Sequence, residues 1–123
     1  MRHVKNNDFI SGQYVWTGFD YLGEPTPYGW PARSSYFGIV DLAGFPKDVY
    51  YLYQSEWHPE KKVLHLFPHW NWAPGQDIDM WAYYNNADEV ELFVNGKSQG
   101  VRTKGKDDFH VVWRVKYEPG VVK

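Results

Sequence analysis

The chain has 123 residues, which is room for one domain, or for one small domain with an attached piece of another. Its formal net charge is −2 and no basic stripe is visible, so nucleic acid is not expected as a partner. There is no cysteine, which excludes disulfides and thiol chemistry but leaves both the cytoplasm and the periplasm open as locations. No apolar run approaches the roughly 20 residues of a membrane span, so no membrane partner is expected.

The stretch from Gly12 to Pro31 carries the first functional signal. It begins with the β-formers Gln13 to Trp16, which predict a strand, and continues as an irregular loop rich in glycine and proline. The side chains between these breakers are mostly aromatic or acidic: Phe19, Asp20, Tyr21, Glu24, Tyr28 and Trp30. Aromatic faces suit the C–H groups of a sugar, and carboxylates accept hydrogen bonds from its hydroxyls. The stretch indicates a sugar site; a surface loop with packed aromatics is the alternative.

The next segments complete a strand–loop–helix unit. Ser34 to Val40 is predicted to be extended, and spacings of three and four predict a helix from Asp48 to Trp57 that Pro59 brings to an end. Such a βα unit is the repeating element of parallel α/β folds. One unit cannot cover its own faces, so residues 1–60 are predicted to be a fragment of something larger.

Beyond Lys62 the pattern changes to period two. Five strands are predicted, with turn residues between them, and they begin at Val63, Ile78, Glu89, Lys97 and Phe109. Asn95-Gly96 predicts a type I′ hairpin turn. Short strands at regular spacing are typical of a β-sandwich.

The predicted sandwich is short of strands. An immunoglobulin-like domain has about seven strands over roughly 100 residues, whereas residues 61–123 supply five candidates. We therefore expect a sandwich truncated at its C-terminal end. The open sheet edge that this leaves is expected to favour self-association.

Several long segments resemble known enzymes. YVWTGFDYLGEPTPY, WPARSSYFGIVDLAGFPKD and YYLYQSEW are similar to the end of the catalytic barrel of bacterial β-galactosidases of glycoside hydrolase family 2. HWNWAPGQDIDMWAYYNNADEVELFVNGKSQG resembles the immunoglobulin-like domain that follows the barrel in those enzymes. The resemblance implies a mainly β fold. In it, residues 1–60 are a remnant of the last unit of a (β/α)8 barrel and residues 61–123 are an immunoglobulin-like β-sandwich.

The resemblance also implies a function for the parent protein. Family members are retaining glycosidases that use two glutamates, and the acid/base glutamate normally follows an asparagine. This chain has no Asn-Glu dipeptide, so no catalytic residue is assigned. The parent is expected to hydrolyse terminal β-galactosides, and the isolated chain is expected to be inactive. Trp16 matches the family's apolar wall against bound galactose; a barrel-core aromatic is its alternative role.

Asp20 and Glu24 are weaker candidates for substrate binding. Their spacing across a glycine-containing loop gives no support for an acid/base pair. We expect them to accept hydrogen bonds from loop amides or to orient neighbours, and Arg33 to pair with one of them. The five histidines show no zinc-type spacing, so no metal and no cofactor is expected.

A different class of function remains open at this point. The chain could be a carbohydrate-binding or purely structural β-sandwich module without catalysis. In the binding version, Trp70, Trp72, Trp81 and Tyr83 form an exposed ring platform, with Trp70 and Trp72 on one face of a continuing strand.

Overall fold

A computed structural model describes all 123 residues, and they divide into two compact units, Met1–Tyr50 and Tyr51–Lys123. The chain is mainly β, with 28% of residues in strands or isolated bridges and 11% in helices, as predicted. The division between the units falls inside a helix, ten residues before the predicted boundary at 60/61. None of the helices combines the length and the apolar character needed to cross a membrane.

The first unit has little regular structure. A short helix, α1, spans Arg2–Lys5, and the residues up to Lys47 pair only through isolated bridges. The predicted strand from Gln13 to Trp16 is wrong, because these residues form no strand and Tyr14 is fully exposed. A strand needs a neighbour to complete its backbone hydrogen bonds, and β-propensity alone does not supply one.

The helix α2 spans Asp48–Trp57, as the sequence predicts. Asp48 lies in its first turn, where the positive end of the helix dipole stabilises a carboxylate. Near the other end of α2, the side-chain amide of Asn85 donates to the Ser55 carbonyl oxygen at 3.2 Å. This bond fastens the end of α2 to the strands of the second unit.

The second unit contains all five predicted strands. They are β1 (Leu64–Phe67), β2 (Asp77–Tyr84), β3 (Val90–Val94), β4 (Lys97–Arg102) and β5 (Val111–Lys116). An antiparallel sheet has the order β1-β2-β5, and β3 and β4 form an antiparallel hairpin. At the hairpin turn Asn95 and Gly96 have φ angles of 51° and 78°, which confirms the predicted type I′ turn.

Alternate residues of these strands form one hydrophobic core. β2 contributes Ile78, Met80, Ala82 and Tyr84, and the rest comes from β3, β5 and the residue that follows it: Leu92, Val111, Trp113, Val115 and Tyr117. The indole N–H of Trp113 donates to the Gly100 carbonyl oxygen at 2.8 Å, so this buried donor is satisfied.

The C-terminal residues add to the hairpin on the side of β3 away from β4. Phe93 and Lys123 exchange two backbone hydrogen bonds, of 2.8 and 2.9 Å. The Asn95 side-chain oxygen accepts the Val121 amide at 2.9 Å, and the Asn95 amide group donates to the Pro119 carbonyl at 3.3 Å. The turn residue therefore also fixes the chain that leaves β5.

Candidate functional site

Trp16 carries an exposed ring on an anchored backbone. The residue is 76% exposed, and the peptide bond to Thr17 is cis. Thr17 donates its amide to the Phe37 carbonyl at 3.2 Å and accepts the Ile39 amide at 3.0 Å. The backbone next to Trp16 is thus bound to a distant segment, while the ring itself is available to a ligand.

Asp20 is a buried carboxylate of the first unit that pairs with a lysine. Its side chain is only 6% exposed. One carboxylate oxygen accepts the Lys47 ammonium at 2.7 Å and the Gly38 amide at 2.8 Å. The Lys47 ammonium also donates to the Tyr36 carbonyl at 3.1 Å. We call Asp20, Gly38 and Lys47 the Asp20 cluster.

The electrostatics of the cluster favour the ionised carboxylate. The hydrogen bond from Lys47 is the largest influence and lowers the pKa of Asp20 below its ordinary value of 3.8, against the opposing effect of burial. The Gly38 amide lowers the pKa further. A carboxylate in this state accepts hydrogen bonds well and is a poor proton donor near neutral pH.

Gly38 is required at its position by space. A Cβ atom there would lie less than 3.0 Å from backbone atoms of Phe19, Asp20 and Val40. The segments around Asp20 and Gly38 therefore approach each other at a distance that only glycine permits.

The hydrogen-bond partner of Glu24 is Tyr21. The Tyr21 hydroxyl donates a hydrogen bond to the Glu24 carboxylate. This bond raises the pKa of the Tyr21 hydroxyl above its ordinary value of 10.0, and a weaker interaction with the Trp16 side chain opposes the rise. The Tyr21 backbone is fixed in turn by fully buried Ser35, whose hydroxyl oxygen accepts its amide at 3.0 Å. Glu24 is thus hydrogen-bonded to its neighbour Tyr21.

The predicted pairing of Arg33 with one of these carboxylates is wrong. Its guanidinium lies over the Trp30 ring, 4.5 Å from the centroid, and Lys47 is the cation that pairs with Asp20. A planar guanidinium on an aromatic face is stabilised by the ring quadrupole. The residues that sequence reasoning missed are Gly38 and Lys47, which lie 18 and 27 positions from Asp20 and give no local signal.

The first unit therefore presents aromatic faces to solvent around carboxylates that are already bonded. Besides Trp16, its exposed rings are Phe9, Tyr14, Phe19, Tyr28, Trp30, Tyr36, Phe37 and Phe45. Such an arrangement can stack against the apolar face of a sugar ring. Asp20 and Glu24 are suited to fix the loop rather than to transfer protons.

The predicted ring platform of the second unit does not form as expected. β1 ends at Phe67, so Trp70 and Trp72 share no strand face, and both pack partly buried against the core. The Trp70 indole N–H donates to the Glu118 carbonyl at 3.0 Å and that of Trp72 to the His69 carbonyl at 2.8 Å. A proline after Phe67 removes a backbone donor and stops the strand.

Trp81 and Tyr83 lie on the face of their sheet away from the core. The ring centroids of Trp81 and His110 lie 4.2 Å apart, and those of Tyr83 and Phe67 lie 4.7 Å apart. All four side chains are half-buried. They pack on one another rather than forming a flat exposed pair.

No group of three or more His, Asp or Glu side chains in the chain could hold a metal ion.

Comparison with known proteins decides the family. Residues 75–123 match a family described as a domain of unknown function, DUF4982. Over its whole length the chain is 81% identical to a β-galactosidase of Bacteroides ovatus, of which it covers 14%. It is 42% identical to a putative β-glucuronidase of Formosa agariphila over 98% of this chain and 12% of the relative. The chain belongs to glycoside hydrolase family 2.

Solved structures of β-glucuronidases agree with this assignment. A β-glucuronidase from glycoside hydrolase family 2 matches with a TM-score of 0.62 and 27% identity, over 72% of this chain and 9% of that one. Bacteroides uniformis β-glucuronidase 3 matches with a TM-score of 0.72 and 26% identity, over 99% of this chain and 18% of that one. The chain corresponds to a C-terminal portion of a family 2 enzyme and spans about one seventh of its Bacteroides ovatus relative, 14% of the length.

Proposed function

We propose that this chain supplies one wall of the sugar site in a retaining family 2 glycosidase, whose catalytic glutamates lie in other parts of the protein. The exposed ring of Trp16 on its hydrogen-bonded backbone is the observation that carries this role. In this proposal residues 1–60 complete a catalytic barrel and residues 61–123 form the sandwich that follows it. The isolated chain has no activity of its own.

The proposed substrate is a terminal β-galactoside. The 81% identity to a β-galactosidase over the whole chain supports this choice. Hydrolysis of such a substrate requires an acid/base and a nucleophile on either side of the glycosidic bond. Asp20 is ion-paired with Lys47 and Glu24 is bonded to Tyr21, so neither is assigned to these roles.

Substitution of Trp16 in the full-length enzyme tests the wall. Trp16→Ala is expected to raise KM for an aryl β-galactoside about tenfold, the equivalent of ~1.4 kcal/mol of lost ring contact, with Trp16→Phe intermediate. Phe45→Ala is the control, because Phe45 is an exposed ring of the same unit, at 68% exposure. Equal kinetics for Trp16→Ala and the parent enzyme would contradict the proposed role.

A β-glucuronide is the second candidate substrate. Its support is the match to solved β-glucuronidases and the presence of Arg33, whose guanidinium is a chemical group suited to bind a sugar carboxylate. The ratio of kcat/KM for the matched aryl galactoside and aryl glucuronide separates the two. A preference for the glucuronide that falls in Arg33→Gln would favour the second candidate.

A second copy of the chain is the proposed macromolecular partner. β1 pairs only with β2, so it is an edge strand, and Leu64 at its start is 69% exposed. Exposed edges of this kind recruit further strands. Light scattering over a concentration series is expected to show self-association that Leu64→Lys abolishes and Leu64→Thr retains; a monomer at every concentration would exclude it.

A further inference from the structure

The Asp20 cluster joins three segments of the first unit that are separated in the sequence. Asp20 contacts Gly38 and Lys47 through one carboxylate oxygen, at 2.8 and 2.7 Å. The backbone adds to this contact, because the Asp20 amide donates to the Val40 carbonyl at 2.9 Å. The carboxylate therefore sits at a junction of three segments of the first unit.

The Gly38 amide lies between the two residues that anchor Thr17. Phe37 accepts the Thr17 amide and Ile39 donates to the Thr17 carbonyl, at 3.2 and 3.0 Å. A group that fixes the Gly38 peptide thus fixes both anchors. The absence of room for a Cβ atom at Gly38 shows how closely this contact is packed.

The Trp16 ring has little packing of its own to set its direction, since the residue is 76% exposed. Its orientation depends on the backbone at Thr17 and on Tyr21, whose hydroxyl interacts with it. Tyr21 directly follows Asp20 and is itself bonded to Ser35. The two groups that orient the ring, Thr17 and Tyr21, are therefore both connected to the Asp20 cluster.

We infer that Asp20 is a positioning residue, which sets the direction of the Trp16 ring through Gly38 and the Phe37–Ile39 backbone. The inference rests on the proposed role of Trp16 as a sugar-facing wall. Asp20 itself touches no substrate in this scheme, and Lys47 serves to hold the carboxylate charged and in place.

A double-mutant cycle in the full-length enzyme tests this. Asp20→Asn alone is expected to raise KM for the aryl β-galactoside about five- to tenfold with a small change in kcat, because a misdirected ring loses the contact energy of Trp16. In a Trp16→Ala background the same change is expected to alter KM less than about twofold, because no ring remains to be positioned. Lys47→Met is expected to follow the same pattern more weakly, and Lys47→Arg to restore the parent KM.

The outcomes separate the two proposals. If Trp16→Ala raises KM and Asp20→Asn adds its full effect in that background, Asp20 has only a structural role and the inference is overturned. If Trp16→Ala leaves KM unchanged, the wall fails and the positioning role fails with it. Where Asp20→Asn does not yield folded enzyme, the Lys47→Met pair of variants gives the same comparison.

Discussion

Asp20 retains its charge in a nearly solvent-free position because two donors compensate it. Its pKa is lowered chiefly by the hydrogen bond from Lys47. A carboxyl whose pKa is lower in the folded state than in the unfolded state stabilises the fold above the unfolded pKa. That stability is lost as the pH falls through the folded value.

This gives a prediction for acid titration. The carboxyl 13C resonance of Asp20 is expected to titrate with a midpoint below 3.8, and the first unit is expected to lose stability only below about pH 4. Lys47→Met should raise the midpoint, because it removes the principal donor. A midpoint at or above 3.8 in the unmodified chain would contradict the ion pair.

Gly38 gives a second prediction at this scale. Gly38→Ala is expected to destabilise the first unit by about 1–3 kcal/mol, since the new methyl group meets backbone that cannot rotate away. Native-state exchange of the Thr17 and Val40 amides measures the effect. Gly29→Ala is the control, because a Cβ there meets nothing within 4 Å; equal exchange in both variants would show that the contact is not tight.

The residues of the candidate site were only partly predictable from sequence. Trp16, Asp20 and Glu24 stand out because aromatic and acidic residues between glycines and prolines are unusual. Their partners do not stand out: Lys47 reads as the residue before a helix and Gly38 as a break in an extended segment. Long-range contacts of a loop leave no periodic pattern, so Arg33 was predicted in the place that Lys47 occupies.

At the scale of elements, the β-hairpin was the most predictable part. Local chemistry determines it, since Asn and Gly tolerate the left-handed conformations that a type I′ turn requires. The strand at Gln13 to Trp16 failed for the opposite reason. Its propensity is local, but a strand exists only where a second strand pairs with it, and in this chain no residue does so.

Asn95 provides the prediction for this scale. Asn95→Ala is expected to lower the free energy of unfolding of the second unit by roughly 1–3 kcal/mol, because it removes the bonds to Val121 and Pro119 as well as the turn preference. Asn95→Asp keeps the acceptor for Val121 and should lose less. Urea unfolding followed by Trp fluorescence compares them, and equal losses would show that the side-chain acceptor does not matter.

For the whole molecule, sequence periodicity and three-dimensional contacts divide the chain at different points. The periodicity changes after residue 60, where the strands begin. Contacts place most of α2, from Tyr51 onward, with the strands, because Ser55 is bonded to Asn85 and Glu56 lies 3.6 Å from the Lys104 ammonium. The sequence periodicity of a helix predicts the helix itself, but it does not predict which residues the last turn contacts.

In the proposed role the whole chain supplies a sugar-facing wall, and its carboxylates Asp20 and Glu24 are held by Lys47 and Tyr21. Hydrolysis of 4-nitrophenyl β-galactoside by the 123-residue chain alone tests this most directly. We expect no turnover above the uncatalysed rate, because Asp20 is held by Lys47 and Glu24 by Tyr21. Turnover by the purified chain that disappears in Glu24→Gln would contradict it and would place the chemistry in this loop.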